Sequence, residues 1–110
     1  MNKRYCFFCD LKDDPVLIEE YKAYHKQVWP EIIQSIKDSG IETMEIYNLG
    51  NRLFMITEVN ERFSIEKKAE MDASNLKVQA WETLMWKYQQ KLPMAKTGEK
   101  WILAEEIFRL

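Results

Sequence analysis

The chain has 110 residues, 46% of them hydrophobic and 31% charged, with three glycines and three prolines. Such a composition excludes a disordered, collagen-like or low-complexity polypeptide and provides for a core in a single domain over residues 1–110. A formal charge of −2 with scattered basic residues leaves no electrostatic footprint for nucleic acid, and no apolar run approaches the ~20 residues of a membrane span.

Met1-Asn-Lys-Arg4 leads into a strand-like segment without a signal-peptide pattern, so a cytoplasmic location is expected. Residues 4–11 read as a strand apolar on both faces, with Tyr5, Phe7, Cys9 and Leu11 alternating with Cys6 and Phe8. Cys6 and Cys9 form a C-x-x-C. On a strand, positions three apart point to opposite faces, so these are expected to be buried packing cysteines, neither a disulfide nor a redox pair. With His25 as the sole histidine, the chain also lacks the four ligands of a structural zinc site, and no metal is expected.

Asp14-Pro15 is a helix N-cap followed by the residue best tolerated at the first helical position. From there Leu17, Ile18, Tyr21, Val28, Ile32 and Ile36 keep helical spacing, with a break or kink predicted at Trp29-Pro30 and a stop at Gly40. Strands over 42–48 and 52–59 follow, joined through Asn48-Leu-Gly-Asn51 as a hairpin. Residues 60–73 are weakly patterned and predict only a short helix over 64–69. From Ser74, read as an N-cap, Val78, Trp81, Met85, Tyr88 and Leu92 recur every three or four residues, which predicts one long amphipathic helix closed by Pro93. A polar loop over 96–100 then leads to a final strand over 101–110.

The order β-α-β-β-α-β is the split βαβ arrangement of ferredoxin-like α+β domains, an antiparallel sheet with both helices on one face. The other face is apolar along the first strand, and so short a chain has no third layer to cover it. A homodimer is therefore expected.

Tyr21-x-x-x-His25-x-x-x-Trp29 places three rings at successive four-residue steps on one helical face. A phenol and an imidazole so placed can share a ligand, and the imidazole titrates near neutral pH, as proton transfer in the cytoplasm requires. The same spacing also serves plain core packing. Trp81 and Trp86 lie roughly 140° apart around a helix axis, so Trp81 fits the apolar stripe while Trp86 falls at its edge, where it either packs or borders a cavity. There is no G-x-S-x-G, no phosphate loop and no G-x-G-x-x-G, which argues for cofactor-free chemistry.

Tyr21-Lys-Ala-Tyr-His25-Lys-Gln-Val-Trp29-Pro30-Glu31 closely resembles the Y-x-x-x-H-x-x-x-W-P-E pattern of the L-rhamnose mutarotase family. The resemblance runs on through Gly40, Ile46-Tyr47, Leu53-Phe54, Trp86-Lys87-Tyr88, Pro93 and Glu106-Ile-Phe108. It implies a dimeric α/β barrel of ferredoxin-like subunits, and an isomerase of carbohydrate metabolism that interconverts the anomers of a 6-deoxy-hexose without a cofactor. His25 matches the family's catalytic histidine and proton donor, and Tyr21 its substrate-binding tyrosine. The positions of Met44, Met85 and Trp86 match further substrate contacts. Here the sequence departs from rhamnose-type members, with Met85-Trp86 in place of a tandem Trp-Trp and Met44 in place of a tyrosine. L-Fucose therefore stands beside L-rhamnose as substrate, since such contacts select between sugar epimers. The base that partners His25 stays open between a carboxylate, Tyr21, water and the histidine itself. Two other classes use similar scaffolds or residues: cofactor-free monooxygenases or haem-degrading enzymes, and a non-catalytic sugar-binding module.

Overall fold

The computed structural model describes residues 2–110. Its first strand, β1 (Lys3–Leu11), lies inside one antiparallel sheet. Asp14 caps α1 (Pro15–Tyr24), its carboxylate accepting from the amides of Val16 and Leu17 at 2.9 and 3.2 Å. Pro15 enters where the helix has no partner for an amide. The break at Trp29-Pro30 is present. Trp29 is extended, with ψ 133°, because the proline ring bars helical geometry from the residue before it, and α2 (Pro30–Asp38) starts at that proline. Gly40 ends the run at φ +99°, a conformation that side chains disfavour. Strands β2 (Ile41–Leu49) and β3 (Arg52–Val59) then form the expected hairpin, turning at Gly50.

The second half departs from the sequence-based expectations. The helix α3 (Ile65–Ala73) is longer than predicted, and Ser74 closes it instead of opening the next one. Asn75 caps α4 (Leu76–Trp86), accepting from the amides of Lys77 and Val78. The single helix expected to reach Pro93 stops at Trp86, and Gln89–Gln90 form β4 against Leu11 and Asp10. The cause is tertiary: the Lys12 amide donates to the Tyr88 carbonyl at 2.8 Å, and the open edge of β1 supplies ladder bonds that outweigh the helical spacing of Tyr88 and Leu92. The last strand likewise contracts to β5 (Ile102–Leu103), paired with Phe8 and Phe7. After Ala104, whose amide donates to the Cys6 carbonyl at 2.7 Å, residues 105–110 carry no regular structure and leave Ile107 and Phe108 exposed.

The sheet order is β2-β3-β1, with β4 and β5 sharing the far edge of β1. This is the ferredoxin-like order, with the first expected helix divided into α1 and α2 and the second shortened to α4. Along β1 and β3, Cys9, Leu11, Leu53 and Met55 point towards the helices. Leu11 and Leu53 meet Tyr21, Ile32, Val78, Trp81, Met85 and Tyr88 in the core, each large apolar side chain contributing about 1.5–3 kcal/mol by burial. The opposite face carries Cys6, Phe8, Phe54 and Ile56, with the rings of Phe8 and Phe54 4.9 Å apart, and Asp10 bound by Arg52 at 2.8 and 3.2 Å. Both cysteines are free and lie on opposite faces, as strand alternation requires. Among the described residues no helix is long and apolar enough to cross a membrane.

Candidate active site

His25 sits directly after α1, where the last turn of a helix leaves carbonyls without intrahelical partners. Its Nδ1 lies 2.9 Å from the Tyr21 carbonyl oxygen, one turn back. Only a protonated Nδ1 can donate to that oxygen, so in the neutral ring Nε2 holds the free lone pair. The ring is half-buried, 4.4 Å from Tyr21 and edge-on to Trp81 at 5.7 Å. Burial lowers its pKa below the usual 6.5, against the smaller opposing pull of the carbonyl. At neutral pH the ring therefore rests uncharged, with Nε2 basic.

Tyr21 is 3% exposed, and its hydroxyl oxygen accepts a hydrogen bond from Gln89 Nε2 at 3.1 Å. Burial raises its pKa far above the ordinary phenol value, so it stays protonated and keeps a proton to donate. Tyr21 and His25 share a cavity of about 180 Å³ with Leu11, Ile46, Asn48 and Leu53. Its size suits one small ligand; pockets for drug-sized molecules run to about 300–1,000 Å³. Lys22 and Lys26 stand at its border, and among the described residues no carboxylate lines it. A wider groove of about 780 Å³ runs along the neighbouring flank of α1, past Tyr24, Trp29 and Tyr88. It does not include His25, and its Glu20 carboxylate is already bound by the Tyr88 hydroxyl at 3.1 Å.

Of the five residues singled out in the sequence, the structure brings Tyr21 and His25 together; Met44, Met85 and Trp86 do not line their cavity. Met44 is half-buried on β2, on the same face as Ile46. Met85 is a core side chain, 2% exposed. Trp86 is 38% exposed, with Lys100 Nζ 5.2 Å from its ring centroid. Sequence reasoning missed two neighbours of the pair. Trp81, read as core, also borders His25, and Gln89, assigned to a helix, reaches Tyr21 from β4. The thiol of Cys9 is pushed up to about 11 by burial, which makes it unreactive, and among the described residues no group of three or more metal-ligating side chains converges.

The fold and the Tyr21–His25 pair define a small ferredoxin-like domain with one acid–base group beside a ligand-sized cavity, and comparison with known proteins places it further. Residues 4–110 match the family model described as L-rhamnose mutarotase. An L-fucose mutarotase of Xanthomonas campestris pv. campestris is 43% identical over 110 residues, covering 98% of this chain and 88% of that protein. A protein of Dictyostelium discoideum, named only as a UPF0734 protein, is 37% identical over 115 residues, covering 98% and 90%. The crystal structure of an L-rhamnose mutarotase from Formosa agariphila superposes with a TM-score of 0.74 at 27% identity, covering 98% of both chains. The chain belongs to the L-rhamnose mutarotase family, a family of sugar mutarotases, which are isomerases.

Proposed function

We propose that this protein interconverts the α and β anomers of a 6-deoxy-hexose, taking L-fucose at least as well as L-rhamnose, with His25 as the proton-transferring group. The observation that carries this reading is the tether of His25 Nδ1 to the Tyr21 carbonyl beside the shared cavity. It fixes the tautomer and leaves one nitrogen free to accept and return a proton.

Ring opening requires that the anomeric hydroxyl lose its proton as the C1–O5 bond breaks, its electrons forming the C1=O1 bond while the C1–O5 pair goes to O5. Nε2 takes the O1 proton and delivers it to O5. Rotation about C1–C2 then turns the other face of the aldehyde towards O5. Closure runs the same transfers backwards: Nε2 removes the O5 proton, O5 attacks C1, and O1 is reprotonated. With no carboxylate among the described residues lining the cavity, one imidazole serves both steps, as acceptor and then as donor. Tyr21 holds a sugar oxygen through its hydroxyl. Leu11, Ile46 and Leu53 of the cavity wall are assigned to the apolar surroundings of the C6 methyl group, in place of Met44, Met85 and Trp86, which lie outside it.

In this reading two copies associate through the face bearing Cys6, Phe8, Phe54 and Ile56, and the two free thiols suit a reducing cytoplasm. The test is NMR saturation transfer between anomers of L-rhamnose, L-fucose and their 6-hydroxy analogues L-mannose and L-galactose. We expect catalysed exchange of both 6-deoxy sugars, L-fucose at least equal to L-rhamnose, and a modest preference over the 6-hydroxy forms. Absence of catalysed exchange in all four sugars overturns the reading. A clear preference for L-rhamnose over L-fucose overturns the substrate assignment.

A further inference from the structure

Four polar or charged residues are buried: Asp10, Ser39, Thr57 and Gln89. Three have complete local partnerships. Asp10 is held by Arg52, Ser39 donates to the Ile36 carbonyl, and Thr57 donates to the Tyr5 carbonyl. Gln89 differs. It is 4% exposed, its Nε2 donates to the Tyr21 hydroxyl oxygen, and its Oε1 has no hydrogen-bond partner among the described residues. A half-satisfied buried amide is less stabilising than an apolar side chain of equal length, so fold stability does not account for a glutamine at this position.

The fold aims the amide. Gln89 pairs with Leu11 across the β4–β1 ladder, which turns its side chain to the helix-facing side of the sheet, where Tyr21 of α1 packs. A phenol offers one proton and an acceptor oxygen. Gln89 occupies the acceptor, and among the described residues no protein group takes the proton.

Building on the proposed sugar-binding role of Tyr21, we propose that Gln89 is a positioning residue: by donating to the Tyr21 oxygen it commits that hydroxyl to donate to a sugar oxygen. The phenol is then preset before substrate arrives. A donor at its oxygen also draws electron density from the O–H bond and strengthens its donation, as linked hydrogen bonds do. Tyr21 is thereby selective for a sugar oxygen that can accept.

The test compares the full-length protein with Gln89→Met, Tyr21→Phe and the double variant. Anomer exchange of L-fucose is read by NMR, sugar binding by tryptophan fluorescence, and stability by thermal melting. Gln89→Met keeps the side-chain length and removes the amide. We expect it to raise KM and weaken L-fucose binding about tenfold, leave kcat within about twofold, and leave the melting temperature unchanged or higher. The double variant is expected to bind no more weakly than Tyr21→Phe, because the amide acts only through that hydroxyl. Two results overturn the proposal: binding and KM unchanged in Gln89→Met, or losses in the double variant that multiply those of the singles. If the wild type binds L-fucose in a Gln89-dependent way yet catalyses no exchange, the positioning role stands and the mutarotase reading falls.

Discussion

The imidazole of His25 is anchored through Nδ1 to the main-chain oxygen of Tyr21, 2.9 Å away, so the side chain four residues on closes the helix that presents it. One contact therefore caps α1, sets the tautomer and leaves Nε2 for chemistry.

The pH dependence follows from that geometry. Burial lowers the folded pKa of His25 below 6.5, so the basic form persists into mildly acidic solution. The exchange rate should stay level down to pH 6.5 and fall below it, with an apparent pKa under 6.5, measured by NMR exchange against pH. Stability moves in the same direction. The unfolded chain takes up this proton at higher pH than the folded one, so the contribution of the neutral ring is complete above 6.5 and is lost as pH falls towards the folded value. Denaturant titrations of wild type and His25→Gln across that window should differ in slope, the variant losing less.

Replacing His25 by Gln keeps a polar side chain of similar reach and removes the titrating nitrogen. Exchange should drop by about 10²-fold or more with circular dichroism unchanged, because no second histidine exists to substitute. Near-wild-type exchange would remove His25 from the mechanism and leave the sugar-binding module as the better description.

Association through the outer sheet face is tested by charge. Phe54 and Ile56 lie there beside Phe8 and Cys6. Phe54→Asp or Ile56→Asp should convert a dimer at micromolar concentration to a monomer in sedimentation equilibrium. A wild type that is monomeric at that concentration would exclude this use of the face.

Gly40 and Gly50 separate strain from collision. At Gly40, φ +99°, a Cβ would stand 2.7 Å from Asn60 Oδ1 and 2.9 Å from the Phe63 nitrogen; at Gly50, φ +60°, it meets nothing within 4 Å. Gly40→Ala should cost about 2–4 kcal/mol and Gly50→Ala about 1 kcal/mol, read from urea midpoints. Equal costs would mean that the collision is relieved by a shift of the Asn60–Phe63 segment.

What was legible in the sequence is what neighbours in sequence decide. Pro30 forbids a helical Trp29, Gly40 permits a left-handed stop, and Asn48 to Asn51 turn a hairpin, so β1, α1, α2, β2 and β3 could be read. Tyr21 and His25 were equally readable, being one helical turn apart. The segment after Trp86 was not, because Tyr88 and Leu92 continue a helical spacing and only the edge of β1, far away in sequence, pulls Gln89 and Gln90 into the sheet. The same long-range pairing hid Gln89 from the site, and Trp81 reaches His25 only through helix packing. The terminal segment failed for the converse reason: its apolar residues look strand-like, but only Ile102 and Leu103 find a partner strand.

The interruption of the sheet edge carries a consequence for how this protein can change. A continuous strand would set one residue opposite Cys9 between β4 and β5, whereas residues 91–101 leave and return there, bringing Lys100 over Trp86. Leu92 and Trp101 at its two ends pack into the core, whereas residues 96–99 between them are exposed, so the length and content of that middle stretch can vary without disturbing the helices or the Tyr21–His25 pair, and lengthening a closed loop costs only about 0.6 kcal/mol per doubling. The exposed middle of the excursion is therefore an insertion point: added residues there lie outside the lining of the cavity that Tyr21 and His25 share.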